Sequence, residues 1–231
     1  MNVTDQFEDL RPFVADEIPA AMQRIADSEA FDALARYVFP HRDVEEVRRM
    51  VRAIRTTDEF QMSVMYHVNL RIIRRSITRL TVDGLDDLDP AERYLFISNH
   101  RDIVLDAAFL NVLLYDVGYD MTQIAIGDNL LIYPWIRLLV RLNNSFIVKR
   151  NLSARRLLEN SRILSAYIRH TLRQTHESIW IAQREGRAKD SNDQTQTSVL
   201  KMLCMAGEGD EGLLDNLMEL NIVPIAISYE I

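Results

Sequence analysis

From Tyr94 onward the chain alternates short apolar runs with longer stretches of helical periodicity, and this alternation constrains the fold more than any other feature. The runs are Leu95-Phe96-Ile97, Ile124-Ala125-Ile126, Phe146-Ile147-Val148, Ile179-Trp180-Ile181-Ala182 and Ile222 to Ile227. Helical patterns lie between them, over Ile103 to Val117, Tyr133 to Leu142, Ala154 to Gln174 and Ser198 to Leu220, the last broken near Gly207. Strands alternating with helices predict an α/β fold: a central mixed β-sheet flanked by helices.

The first eighty residues carry no strand signal and read as helices. Asp16 to Ile25 has helical apolar spacing. Ser28 with Glu29 is expected to open a second helix that ends near Pro40. Asp43 is expected to cap a third, and Thr56-x-x-Glu59 is a capping box ahead of a fourth that runs to about Leu80. The polar, turn-rich Thr81 to Pro90 then separates an N-terminal helical segment, 1–80, from an α/β domain, 81–231. Ala188 to Thr197 is polar and predicts a mobile loop. The chain stops at Ile231 directly after a strand, which leaves a continuation of the domain open.

Composition removes several function classes. A net charge of −7 argues against a nucleic-acid partner, which needs a basic surface. One cysteine, Cys204, excludes an internal disulfide and fits a reducing cytoplasm. The N-terminus is acidic and has no secretory pattern. The most apolar stretch, Leu130 to Leu142, is interrupted by Arg137 and Arg141 and falls short of the roughly 18 residues a spanning helix needs.

The chemistry-bearing residues sit where strands end, which is where α/β folds bind ligands. Ser98-Asn99-His100-Arg101-Asp102 follows the first run. A histidine there, with an unperturbed pKa of about 6.5, suits a general base if a carboxylate one or two turns on holds its other nitrogen. Lys149 and Arg150 follow the third run. Arg184-Glu185-Gly186-Arg187 follows the fourth, where a planar arginine fork suits phosphate oxygens and glycine permits close backbone approach. Ser228-Tyr229-Glu230 follows the fifth. Each cluster alone is an ordinary solvated turn; together they would form one cationic cleft containing a base.

In order and content these clusters resemble the four sequence blocks of the glycerolipid acyltransferases, the lysophosphatidate and glycerol-3-phosphate acyltransferase superfamily. Asn99-His100 with a following Asp resembles the His-x4-Asp block, Ser145 to Arg150 the second, Glu185-Gly186-Arg187 a shortened Glu-Gly-x-Arg block, and Val223 to Ile227 the fourth. The His100-Arg101 pair and the Ile-Ser-Tyr-Glu ending lean toward the glycerol-3-phosphate branch. The family spacing puts the carboxylate at Leu105, so the candidates are Asp106, one residue late and taken here as the partner, and Asp102.

The resemblance implies direct transfer of an acyl group from acyl-CoA or acyl carrier protein to glycerol 3-phosphate or its 1-acyl product. His100 and Asp106 would be the catalytic pair. Lys149, Arg150, Glu185, Gly186 and Arg187 would bind substrate, and no cofactor is implied. It also implies work on the inner, cytoplasmic face of a membrane. A thioesterase that activates water, and a catalytically inactive lipid-binding scaffold, are the alternatives. His41, His67, His170 and His176 lack metal-ligand spacing, so no metal is assigned. Cys204, at helical spacing among apolar residues, reads as a core thiol. Arg71, Arg74, Arg75 and Arg79 read equally as a solvated face or a patch for anionic lipid or carrier protein.

Overall fold

A computed structural model describes residues 5–190, 192–207 and 212–229. It separates into two compact units: residues 11–82 with 131–146, and the remainder.

The first unit is helical. It contains α1 (Ile18–Ala26), α2 (Phe31–Val38), α3 (Val44–Ala53), α4 (Thr57–Phe60), a π-helical turn (Gln61–Met65), α5 (Tyr66–Ser76) and, from the later segment, α7 (Pro134–Leu142). Two expected caps are present. The Asp43 carboxylate accepts from the amides of Glu45 and Glu46, and Thr56 Oγ1 accepts from Glu59 N at 3.0 Å. Ser28 behaves differently. Its hydroxyl donates to Ile25 O at 2.8 Å, finishing α1 rather than starting α2. Met22, Ala26, Phe60 and Leu142 meet in one buried cluster. Removing each large side chain of this kind from water contributes about 1.5–3 kcal/mol.

The second unit holds β1 (Leu95–Ser98), α6 (Leu105–Asp116), β2 (Gln123–Gly127), α8 (Ala154–His170), β4 (Ile179–Ala182), α9 (Thr197–Leu203), α10 (Leu213–Met218) and β5 (Ile222–Ile225). With β3 (Ser145–Val148) the strands make one sheet in the order β3-β2-β4-β1-β5. The α/β class stands, but the sheet is parallel rather than mixed. Each of the first four strands is followed by helix that carries the chain back to the end of the sheet where the strand began, so every strand enters in the same direction. Leu95 is in register with Ile179 on one side and Ile222 on the other. Pro224, which cannot donate to a ladder, is tolerated because β5 is the outermost strand.

β1 is buried along its whole length, as a central strand covered on both faces must be. Phe96, Ile124 and Trp180 pack with Ala107, Leu110 and Leu114 of α6. The parallel direction puts the C-terminal ends of all five strands, and the described residues of the polar clusters that follow them, along one end of the sheet; Glu230 lies outside the described residues.

Candidate active site

After Ser98 the chain turns through Asn99, His100 and Arg101 before α6. Asp102 is spent on that turn: its Oδ1 accepts from Val104 N at 2.8 Å and Leu105 N at 2.9 Å, satisfying amides that α6 leaves unpaired. The turn delivers Asp106 to His100. Asp106 Oδ2 lies 2.9 Å from His100 Nδ1 and accepts from Arg101 N at 2.8 Å and Asp102 N at 3.0 Å. Its Oδ1 accepts from the Tyr229 hydroxyl at 2.7 Å. Asp106 is fully buried, at 0% exposure.

Every group around Asp106 is a donor. An ionised carboxylate accepts only, so it satisfies all of them, and His100 Nδ1 must carry the hydrogen. In the neutral ring, Nε2 then carries the lone pair, and it has no partner among the described residues. The imidazole stands edge-on to Trp180 at 6.2 Å between ring centres. Desolvation, then the Asp106 carboxylate, push the Tyr229 phenol far above its ordinary range, so it remains a donor.

Asn99 faces away from this carboxylate. Its amide donates to Ile227 O at 2.8 Å and accepts from Ile227 N at 2.7 Å, clasping the segment after β5 as a neighbouring strand would. The polar stretch 188–197, expected to be mobile, is tied down among its described residues. Ala188 N donates to His100 O at 2.7 Å, Arg101 forms an ion pair with Asp193, and Gln196 N donates to Gln183 O at 2.9 Å. Backbone hydrogen bonds and the Arg101–Asp193 pair supply the contacts that its lack of apolar residues denies it.

Arg150 reaches from the end of β3, past β2, to the end of β4. Its Nη1 lies 3.0 Å from Glu185 Oε1, and its amide donates to Asp128 Oδ1 at 3.0 Å. That path spans two strand spacings, about 10 Å. Gly127 keeps it open: a Cβ there would stand 3.3 Å from Arg150 Nε and 2.5 Å from Asn129 Oδ1. Gly186 adopts φ +73°, a conformation glycine takes without strain, and Arg187 beside it is exposed. Lys149 points elsewhere, to Asp9, with 3.3 Å between Nζ and Oδ2. Successive residues at a strand end face opposite ways, which separates Lys149 from Arg150.

The structure therefore brings His100 together with Asp106 and Arg150 together with Glu185, but not Lys149 with Arg150. Gly127, Asp128 and the Tyr229 contact go beyond the residues picked from the sequence. The second apolar run also ends in a glycine followed by a carboxylate, Gly127-Asp128, and that is the available signal. Cys204 is half-buried, and desolvation pushes its thiol up, away from nucleophilic thiolate. Among the described residues no group of three His, Cys, Asp or Glu side chains is placed to hold a metal.

A sequence model of the Acyltransferase family matches residues 79–228, from before β1 to the segment Asn99 clasps. The chain belongs to that family, the glycerolipid acyltransferases, and its chemistry is acyl transfer from an acyl donor to a lipid acceptor. No curated protein matches the chain significantly.

Proposed function

We propose that the chain moves a fatty-acyl group from acyl-CoA or acyl carrier protein to the hydroxyl of glycerol 3-phosphate or 1-acylglycerol 3-phosphate, a step of phospholipid synthesis. One observation carries the reading: a histidine whose Nδ1 is fixed by a buried carboxylate and whose Nε2 has no partner among the described residues. As the acceptor oxygen attacks the thioester carbonyl, its proton passes to His100 Nε2. Asp106 stabilises the imidazolium that forms. Collapse of the tetrahedral intermediate breaks the carbon–sulfur bond, and the imidazolium returns its proton to the departing thiolate. The nucleophile belongs to the substrate, so no acyl-enzyme forms.

Arg150 and Arg187 supply permanent charge and paired donors for the acceptor phosphate. Glu185, now paired with Arg150, braces that guanidinium and accepts from an acceptor hydroxyl. These arginines favour a phosphate-bearing acceptor over water. The test is thiol release from palmitoyl-CoA or palmitoyl carrier protein, with and without glycerol 3-phosphate, on wild type and His100→Ala. Release should require the acceptor and fall by about 10²- to 10⁴-fold in the variant. Release indifferent to the acceptor identifies a thioesterase instead, and equal rates in both proteins remove His100 from the mechanism.

A further inference from the structure

The charge of the chain is unevenly divided. The helical unit, residues 11–82 and 131–146, carries fourteen arginines against ten acidic side chains, a balance of +4 within a chain of net charge −7. Several of these cations are uncommitted. Arg137 on α7 and Arg74 and Arg75 near the end of α5 are exposed and have no ion-pair partner among the described residues.

The same unit displays an apolar tip. Ile132, Tyr133 and Trp135 are 71%, 55% and 54% exposed, and the two rings are stacked, 6.4 Å apart with planes within 10°. Behind them α7 is well anchored. Leu142 is buried in the unit's core, and Leu138 and Leu139 pack against it. The helix therefore holds fast through its C-terminal half and presents its first turn outward.

We propose that this unit docks on an anionic lipid bilayer. Ile132, Tyr133 and Trp135 enter the interface, and Arg137 meets lipid phosphates. Arg74 and Arg75 add to the field that draws the unit to a negative surface. The tip selects a bilayer over an acidic carrier protein. Tryptophan and tyrosine rings have an apolar body and a polar edge that settle at headgroup level, and Ile132 is buried fully where hydrocarbon surrounds a protruding tip. The inference does not depend on which acceptor is used.

Trp135 is a built-in reporter, because the other tryptophan, Trp180, is buried at 4% exposure. The experiment titrates the full chain with vesicles of mixed phosphatidylglycerol and phosphatidylcholine, and with phosphatidylcholine alone, reading tryptophan emission and co-sedimentation. Mixed vesicles should shift emission to the blue and carry the protein down, with binding that weakens as salt rises. Arg137→Gln should weaken binding about five-fold, the effect of one basic side chain at such a surface. Ile132→Asp should abolish the shift while leaving turnover of soluble short-chain acyl-CoA unchanged. Absence of binding to either vesicle, equal binding to both, or wild-type binding by Ile132→Asp overturns the proposal. So does a blue shift given by acyl carrier protein and not by vesicles.

Discussion

Tyr229→Phe isolates one hydrogen bond at the heart of the proposed site. Phenylalanine keeps the edge-to-face contact with Phe109, whose ring centre is 5.9 Å away, and removes only the hydroxyl 2.7 Å from Asp106 Oδ1. A hydrogen bond to a charged group contributes about 1.5–3 kcal/mol, and the lower end applies because Tyr229 is 39% exposed. For a chain of this size that loss lowers Tm by about 3–6 °C. If the bond is felt fully where the imidazolium forms, the same loss reduces kcat about ten-fold with KM unchanged. Thermal denaturation and thiol-release kinetics on one preparation measure both. A lower Tm with kcat within two-fold of wild type would show that the hydroxyl serves only folding; no change in either would mean that the bond is absent in solution. There is also a pH signature. The folded phenol holds its proton more tightly than the unfolded one, first through desolvation and then through Asp106. Its contribution is fully present below the unfolded pKa of about 10 and is lost as pH rises beyond it. Wild type should therefore lose stability faster than Tyr229→Phe above about pH 10.

Three other outcomes follow from the geometry. Asp106→Asn should lower kcat by about 10³- to 10⁴-fold in the thiol-release assay, because an amide in place of the carboxylate releases the imidazole to the wrong tautomer. Gly127→Ala should raise KM for glycerol 3-phosphate more than for the acyl donor, since its Cβ would crowd Arg150 Nε at 3.3 Å. Glu219→Gln should be less stable than wild type near neutrality by chemical denaturation. Desolvation raises the Glu219 pKa, but the Arg169 hydrogen bond and Arg173 outweigh it and hold it below the ordinary range. That stability is present above the unfolded pKa of about 4.3 and is lost as pH falls through the folded value, so the gap should close in acid.

Strand positions were legible because buried parallel strands are nearly continuous apolar runs: Phe146-Ile147-Val148 became β3 and Ile179 to Ala182 became β4. Capping was legible at Asp43 and Thr56, where one side chain answers a local backbone need. Ser28 was not, since a serine between two helices serves either one. The carboxylate partner of His100 hung on a single residue of helix phase. Only the Asp102 turn, which starts α6 at Leu105, decides that Asp106 points back. The Arg150–Glu185 pair depends on strand order, which short runs of similar composition do not encode locally. For the same reason, Asn99 offered no hint of the strand beside which it would lie.

That asparagine has a consequence for how activity arises during folding. Its amide ties Ile227 beside the histidine segment, and two residues further on Tyr229 reaches the buried carboxylate. The base is thus supported from both ends of an arc of chain more than a hundred residues long. A chain that has formed β1 and α6 but not seated β5 owns a histidine and an aspartate yet lacks one of the donors that fixes them. On the proposed mechanism, seating the outermost strand would complete the support of the base, and turnover would rise as that last strand docks.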